Sequence, residues 1–286
     1  MEKRKLTKRE VIEWIADKDY KTFHWKEVLD GLYPSYLAGH VRAYLSELKR
    51  EGFIKSIGSR QGNYKQIEDQ LPPINWWEGE AVGLPLVLPL QLHELCFFFP
   101  PCLIVVAGSP NTGKTAFLMN VAKMNCDWIE TRLFISEGIE LLKNRFKGFY
   151  PPIHIPPNFT THPMPIDPVD AIKPDILNVL DYIEPNTDAV YRIADTLKEI
   201  TEKLGQKGIA VVALQKPFGR DTAYGGSFTL FKPSLYLAID KNKMRIIRMK
   251  VPKIIPDEPL RDVYRMTIQF RIHRGVQFEE MGRIVE

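Results

Sequence analysis

Up to residue 67, the pattern of apolar and polar residues predicts three short helices followed by two short strands. Thr7 can cap a first helix that runs to about residue 17, a second covers 25–32, and a third opens at 34–35 and ends at Gly52. The strands fall at 53–57 and 63–67, on either side of a Gly-bounded basic turn. This order of elements predicts a winged helix-turn-helix domain in residues 1–67.

The third helix of this segment has an apolar face and a polar, basic face. The apolar residues recur at helical spacing, whereas the others fall elsewhere on the helix: Leu37, Val41, Tyr44, Leu45 and Leu48 against Ser35, Arg42, Ser46 and Lys49. Basic residues of the helix and the strands are candidates for contacts with DNA phosphates: Arg42, Lys49, Arg50, Lys55, Arg60 and Lys65. Winged helices also dock proteins, so a protein partner is the alternative.

From residue 80 onward the pattern changes to an alternation of apolar strands and longer helices, after a linker at 68–79. Strands are predicted at 103–107, 132–136, 176–180 and 209–214, and helices at 114–125, 138–148 and 187–204. Short strands near 234–239, 244–250 and 263–272 predict an antiparallel extension, and the proline-rich stretch 151–168 is expected to be a loop. The fold class is therefore α/β, with a mostly parallel sheet covered by helices in residues 80–286.

Charge divides along the same boundary. Of 39 Lys and Arg and 35 Asp and Glu, residues 1–66 hold 14 and 9, a net charge of +5, which leaves −1 for the remainder. A basic N-terminal segment favours a polyanionic partner. No apolar run reaches the ~18 residues of a membrane span, and the polar start lacks a secretory signal, so we expect a cytoplasmic protein without membrane contact.

The most specific motif is a phosphate loop between the predicted strand 103–107 and the predicted helix 114–125. It reads G-x-x-x-x-G-K-T, with the residues Gly108, Ser109, Pro110, Asn111, Thr112, Gly113, Lys114 and Thr115. Backbone N–H groups of such a loop surround phosphates, Lys114 can reach the β- and γ-phosphates, and the Thr115 hydroxyl can bind Mg²⁺. The sequence therefore predicts ATP and Mg²⁺ binding here.

Three further residues at strand ends are candidates for catalysis. Asp181 ends an apolar strand, expected to neighbour that of the phosphate loop, and can orient a Mg²⁺-bound water. Glu137 ends another and is the candidate general base, with Glu184 in reserve. Gln215 ends a third and can sense the γ-phosphate. It precedes a Gly-containing loop, 217–227, that is expected to be mobile and in which Arg220 and Tyr224 are candidates for DNA contacts.

Taken in order, these motifs resemble the core of RecA-like ATPases, nearest to replicative helicases of the DnaB type. The resemblance rests on the phosphate loop with Ala116 and Phe117, and on residues 134–137, 180–183, 197–200, 212–215 and 226–227. It implies a RecA fold, ATP hydrolysis at subunit interfaces, a ring or filament of identical subunits, and DNA-binding loops. It also implies that Lys250 and Lys253 act in trans at a neighbour's ATP site, although their spacing is Lys-x-x-Lys rather than Lys-x-Arg.

The sequence thus predicts a DNA-binding ATPase that couples hydrolysis to the handling of DNA in replication or recombination. The N-terminal winged helix stands where DnaB-type helicases have a helical domain, so strand unwinding is not implied. Two alternatives remain open. One is a replication initiator or regulator in which ATP acts as a switch, and the other is a helicase loader whose winged helix docks a partner replication protein.

Overall fold

A computed structural model describes residues 6–16, 22–32, 38–57, 62–67, 77, 81–183, 192–253 and 266–285. The chain divides into two compact units, Met1–Glu80 and Ala81–Glu286. Of the predicted linker at 68–79, only Trp77 lies within the described residues. Among the described residues, no helix is long and apolar enough to cross a lipid bilayer.

The first unit contains three helices and a small antiparallel sheet. Its elements are α1 (Lys8–Ala16), β1 (Thr22–His24), α2 (Trp25–Leu32), α3 (Ala38–Arg50), β2 (Ile54–Ser56) and β3 (Asn63–Gln66), and the sheet order is β1-β3-β2. Thr7 caps α1 as predicted, because its hydroxyl accepts from Glu10 N at 3.3 Å while its own N–H donates to the Glu10 carboxylate at 2.8 Å. The three-residue strand β1 was not predicted, since only Phe23 in it is buried.

Helix α3 orients its two faces as the sequence predicts. Val41, Leu45 and Leu48 are almost completely buried in the core that the three helices share. Arg42 and Lys49 are exposed on the other side. Leu37 and Ser35 lie outside the described residues.

The second unit is built on a nine-stranded sheet. Its elements are β4 (Cys102–Gly108), α4 (Lys114–Asn125), β5 (Thr131–Ile135), α5 (Ile139–Phe146), β6 (Thr160–Pro163), β7 (Leu177–Ile183), α6 (Arg192–Lys203), β8 (Ile209–Gln215), β9 (Leu235–Asp240), β10 (Lys243–Met249), β11 (Met266–His273) and β12 (Gln277–Val285), with short 3₁₀ helices at Pro89–Glu94, Pro168–Ala171 and Gly226–Leu230. The strand order is β12-β11-β10-β9-β4-β8-β7-β5-β6.

The six strands from β9 to β6 in this order run parallel, and β10, β11 and β12 extend the sheet in antiparallel fashion. Helices cover both faces: residues of α4 and α5 belong to one apolar core, and residues of α6 belong to the other. Strands β4 and β8 are nearly continuous apolar runs because both of their faces are covered. The predicted α/β architecture is therefore confirmed.

The expectation that 151–168 is a loop was wrong, because β6 lies within it and pairs in parallel with β5. Strand β6 is mostly exposed at the sheet edge, so its sequence shows no apolar alternation. Strand β12 was also missed, for the same reason. Strand β7 continues past the predicted end at 180 and includes Asp181.

Candidate active site

The phosphate loop leaves the sheet at the carboxyl end of β4 and leads directly into α4. All of β4 is buried, which fixes the point at which the loop begins. Asn111 has φ 59° and Gly113 has φ 104°, and Gly113 precedes the first helical residue, Lys114. Left-handed residues between right-handed ones turn successive backbone N–H groups toward one concavity, and the N-terminus of α4 adds its dipole there. The loop therefore has the backbone form of an anion-binding site.

Gly108 is required by the close packing inside the loop. A Cβ atom at this position would lie 2.6 Å from Thr112 Oγ1 and 2.9 Å from Lys114 Cγ. The Thr112 hydroxyl donates to the Ser109 carbonyl at 2.8 Å, which closes the loop on itself. Pro110 and Asn111 are the exposed residues at its tip.

Lys114 is folded back into the loop. Its side-chain Nζ donates to the Gly108 carbonyl at 2.9 Å and to the Ser109 carbonyl at 2.8 Å, and the residue is only 7% exposed. Burial lowers the pKa of Lys114; the charge of Asp181 opposes this effect and that of Lys216 adds to it. A polyphosphate would offer charged acceptors in place of two neutral carbonyls, so the buried ammonium is suited to bind one.

Asp181 provides the acidic group of the site. It is 1% exposed, and burial raises its pKa to about 6, with the neighbouring Glu137 acting in the same direction. The Thr115 hydroxyl approaches the carboxyl and opposes the rise. Both carboxylate oxygens nevertheless lack a hydrogen-bond partner of normal geometry among the described residues.

This pair of oxygen donors fits Mg²⁺. A buried carboxylate without partners is costly, and a hard cation that accepts oxygen ligands would satisfy it. Thr115 and Asp181 are therefore the residues that would hold the metal, as the sequence predicts. Strand β8 lies between β4 and β7, so the expectation that Asp181 ends a neighbouring strand was wrong in that respect.

We expect Asp181→Asn to stabilise the nucleotide-free and metal-free protein. A folded-state pKa of about 6 against the ordinary 3.8 means that the folded protein binds this proton more tightly, so the destabilisation by Asp181 grows as pH rises from 4 to 6 and is then constant. The difference in free energy of unfolding should reach about 3 kcal/mol at pH 7. Urea titrations of both proteins in EDTA at pH 4.5 and 7 measure it. An equal difference at the two pH values would contradict the prediction.

Glu137 lies two residues beyond β5, beside Asp181. Strands β5 and β7 are neighbours, and Ile135 is the register partner of Asp181. The Glu137 carboxylate is bound on both oxygens by Arg145, with Nε to Oε2 and Nη2 to Oε1 both at 2.7 Å. The two side chains are 22% and 27% exposed. The structure therefore brings the predicted base to the site and gives it a partner that the sequence did not reveal.

Gln215 ends β8 directly beside the phosphate loop, since it is the register partner of Gly108. The next residue, Lys216, is fully buried. Its Nζ donates to Asp240 Oδ1 and to the Arg220 carbonyl, each at 2.7 Å, and its backbone N–H donates to the Gly108 carbonyl. Lys216 therefore connects the loop after β8 to the phosphate loop.

The loop 217–227 is held at several points. Tyr224 N donates to the Gln215 carbonyl at 3.0 Å, Ala223 N donates to the Tyr236 hydroxyl at 2.8 Å, and Arg245 pairs with Asp221. These contacts replace the composition-based expectation of a mobile loop with an anchored one. Within it, Arg220 is exposed and Tyr224 is 39% exposed.

The remaining candidates lie at different places. Lys250 donates to the Lys232 carbonyl at 2.9 Å, and the Lys253 ammonium lies 5.3 Å from the centre of the Phe97 ring, so both are engaged within their own subunit. In the first unit, the Arg42 guanidinium lies 3.9 Å above the Trp25 ring. Arg60 and Glu184 lie outside the described residues.

Sequence reasoning missed Arg145 and Lys216. Arg145 stands eight residues after Glu137, near the end of a predicted helix, and the only signal was that two helical turns bring it back toward the helix start. Lys216 follows an apolar strand directly, where a charged residue is usually the first exposed position. The strand pattern therefore pointed away from its burial.

No protein-family model matches the sequence, and no curated protein matches it. Among solved structures, an ATPase domain of the DnaB type is similar, with 12% identity and a TM-score of 0.51, over 72% of this chain and 93% of that domain. A KaiC-like protein, PH0186, from the hyperthermophilic archaeon Pyrococcus horikoshii OT3 aligns with 15% identity and a TM-score of 0.49, over 72% of this chain and all of that one. This chain therefore has the α/β fold of RecA-like ATPase domains, with a large, mostly parallel sheet flanked by helices.

Proposed function

We propose that the protein is a DNA-binding ATPase that couples hydrolysis to the handling of DNA in replication or recombination. The observation that supports hydrolysis most strongly is the convergence of three groups at one sheet edge. Lys114 in the phosphate loop and the carboxylate of Glu137 both lie within electrostatic reach of the unpartnered carboxylate of Asp181. A phosphate cradle, an acidic metal ligand and a carboxylate base are what phosphoryl transfer to water requires.

In the proposed reaction, the loop N–H groups and Lys114 bind the β- and γ-phosphates of ATP. Glu137 orients a water whose oxygen forms a bond to the γ-phosphorus while the bond to the β,γ-bridging oxygen breaks. ADP leaves with that electron pair, and Glu137 accepts the proton of the water. Mg²⁺ held by Thr115 and Asp181 would supply positive charge to the phosphates. Gln215, beside Gly108, is placed to sense loss of the γ-phosphate.

The first unit supports the DNA-binding part of the proposal. We interpret its three helices and antiparallel strands as the winged helix that the sequence predicts. The acidic residues Glu47 and Glu51 are both paired with Lys8, which leaves the basic residues of α3 uncompensated by them. Lys55 and Lys65 are register partners on adjacent strands, and both are exposed. Like charges directly opposite each other repel, and an anionic partner relieves this.

We further propose that the protein assembles as a ring or filament. Lys250 and Lys253, just beyond β10, are the candidates for cations supplied to a neighbour's site. Light scattering with and without ATP tests this: a single-subunit mass under both conditions would remove the role in trans.

For the DNA interaction, we expect the double variant Arg42→Gln, Lys49→Gln to bind DNA more weakly and with a smaller salt dependence. Each lost phosphate contact should reduce the slope of log affinity against log salt by about 1. Fluorescence anisotropy with the full chain and labelled single-stranded and duplex DNA measures this. Lys198→Gln, which removes an exposed lysine of α6, is the matched control.

Unchanged DNA affinity in a folded double variant would favour docking of a partner replication protein, as in a helicase loader. In the same preparations, several-fold stimulation of wild-type hydrolysis by DNA supports the coupled ATPase. Slow hydrolysis that ignores DNA would instead indicate an initiator or regulator in which ATP acts as a switch.

A further inference from the structure

The candidate base Glu137 is not available for catalysis in this conformation. A carboxylate needs a free oxygen to accept a hydrogen bond from the attacking water and then its proton. Both oxygens of Glu137 instead accept from Arg145 at 2.7 Å, in the parallel two-bond geometry in which arginine binds carboxylates most strongly. Activation of a water by Glu137 must therefore first break at least one of these bonds.

Arg145 is held in position for this contact. It lies in the last turn of α5, and Glu137 lies just before the first turn, which begins after Gly138. The helix thus spans the distance between the two side chains, and the pair closes across its length. The Lys147 and Gly148 backbone N–H groups donate to the Lys143 and Arg145 carbonyls, which continues the backbone contacts at this end of the helix.

The charge arrangement gives the pair a role in the state without substrate. Glu137 and Asp181 are carboxylates close enough to affect each other, and Arg145 is close enough to counteract the effect on Asp181. Without a cation at the site, Arg145 is the nearby positive group that reduces the repulsion between them. It does so by occupying the oxygens that catalysis needs.

We propose that Arg145 is a positioning residue that holds Glu137 in a resting conformation and thereby limits hydrolysis in the absence of a partner. The inference rests on the proposed role of Glu137 as the base. Opening the pair is then part of the barrier to hydrolysis, whereas nucleotide binding, which uses the phosphate loop, does not depend on it. The arrangement would suppress ATP consumption by protein that is not engaged with DNA.

The test is the rate of ATP hydrolysis by Arg145→Gln in the full chain without DNA. We expect kcat to rise about three- to tenfold, since the pair is partly exposed and of moderate strength. KM and the affinity for a fluorescent, non-hydrolysable ATP analogue should stay within about twofold, because no phosphate-loop contact changes. Lys143→Gln, which breaks an exposed pair with Glu140 on the same helix, is the control and should leave kcat unchanged.

A second variant, Arg145→Lys, keeps the charge but cannot make both parallel bonds, so its kcat should lie between those of the wild type and Arg145→Gln. A fall or no change in the kcat of either folded variant would overturn the inference, because a pair with a purely structural or activating role does not raise kcat when broken. The proposed role of Glu137 fails separately: a fully active Glu137→Gln would remove it. An inactive Glu137→Gln together with an unchanged Arg145→Gln would refute only the resting pair.

Discussion

Glu137→Gln should lower kcat for ATP hydrolysis by about 10²–10⁴-fold, the contribution of a well-placed general base. The amide keeps the size of the side chain and one acceptor oxygen, but it cannot take the proton of the attacking water. Nucleotide affinity should stay within about twofold, since Glu137 lies beyond β5 and makes no contact in the phosphate loop. Steady-state hydrolysis with and without DNA, together with binding of a fluorescent ATP analogue, measures both effects.

Glu140→Gln is the matched control for this variant. Glu140 is three residues further on, exposed, and paired with Lys143 rather than directed to the site. Its variant should hydrolyse ATP at the wild-type rate. If Glu137→Gln and Glu140→Gln were equally active, Glu137 would be an ordinary strand-end glutamate, and the base would have to be sought elsewhere.

The sequence predicts the parts of the fold in which local pattern and tertiary environment agree. Strand β4 is apolar because both of its faces are buried, and the phosphate loop follows because its glycines allow a backbone that other residues resist. Gly113 has φ 104°, and Gly108 leaves no room for a Cβ. The same agreement made α4 and α2 predictable to the residue.

The parts that escaped prediction depend on neighbours that are distant in sequence. Strand β6 is mostly exposed and exists because β5 offers an edge to pair with. Asp181 is recognisable as a strand-end carboxylate, but its lack of hydrogen-bond partners among the described residues depends on how β7, β5 and α4 meet. The contact of Arg145 with Glu137 follows from the length and direction of α5, which residue types alone do not specify.

Two buried lysines of the site should respond in opposite ways to the same substitution, to methionine. Lys114 binds only carbonyls of its own loop among the described residues, and burial disfavours its charge. Lys216 is paired with Asp240 and has no exposed side-chain surface. The first arrangement leaves a cation ready for a phosphate, whereas the second satisfies its cation inside the protein.

Lys114→Met should therefore lower kcat/KM by at least ~10²–10³-fold, the usual cost of removing a preorganised charge from a phosphoryl-transfer site. Its melting temperature without nucleotide should not fall, because the buried charge disappears with the side chain. Lys216→Met should instead lower the free energy of unfolding by about 3 kcal/mol, since it leaves Asp240 without its buried partner. Thermal and urea unfolding beside steady-state hydrolysis distinguish the two. A destabilised Lys114→Met with normal hydrolysis would mean that this lysine, too, serves the fold, and that the loop binds its phosphate through backbone N–H groups alone.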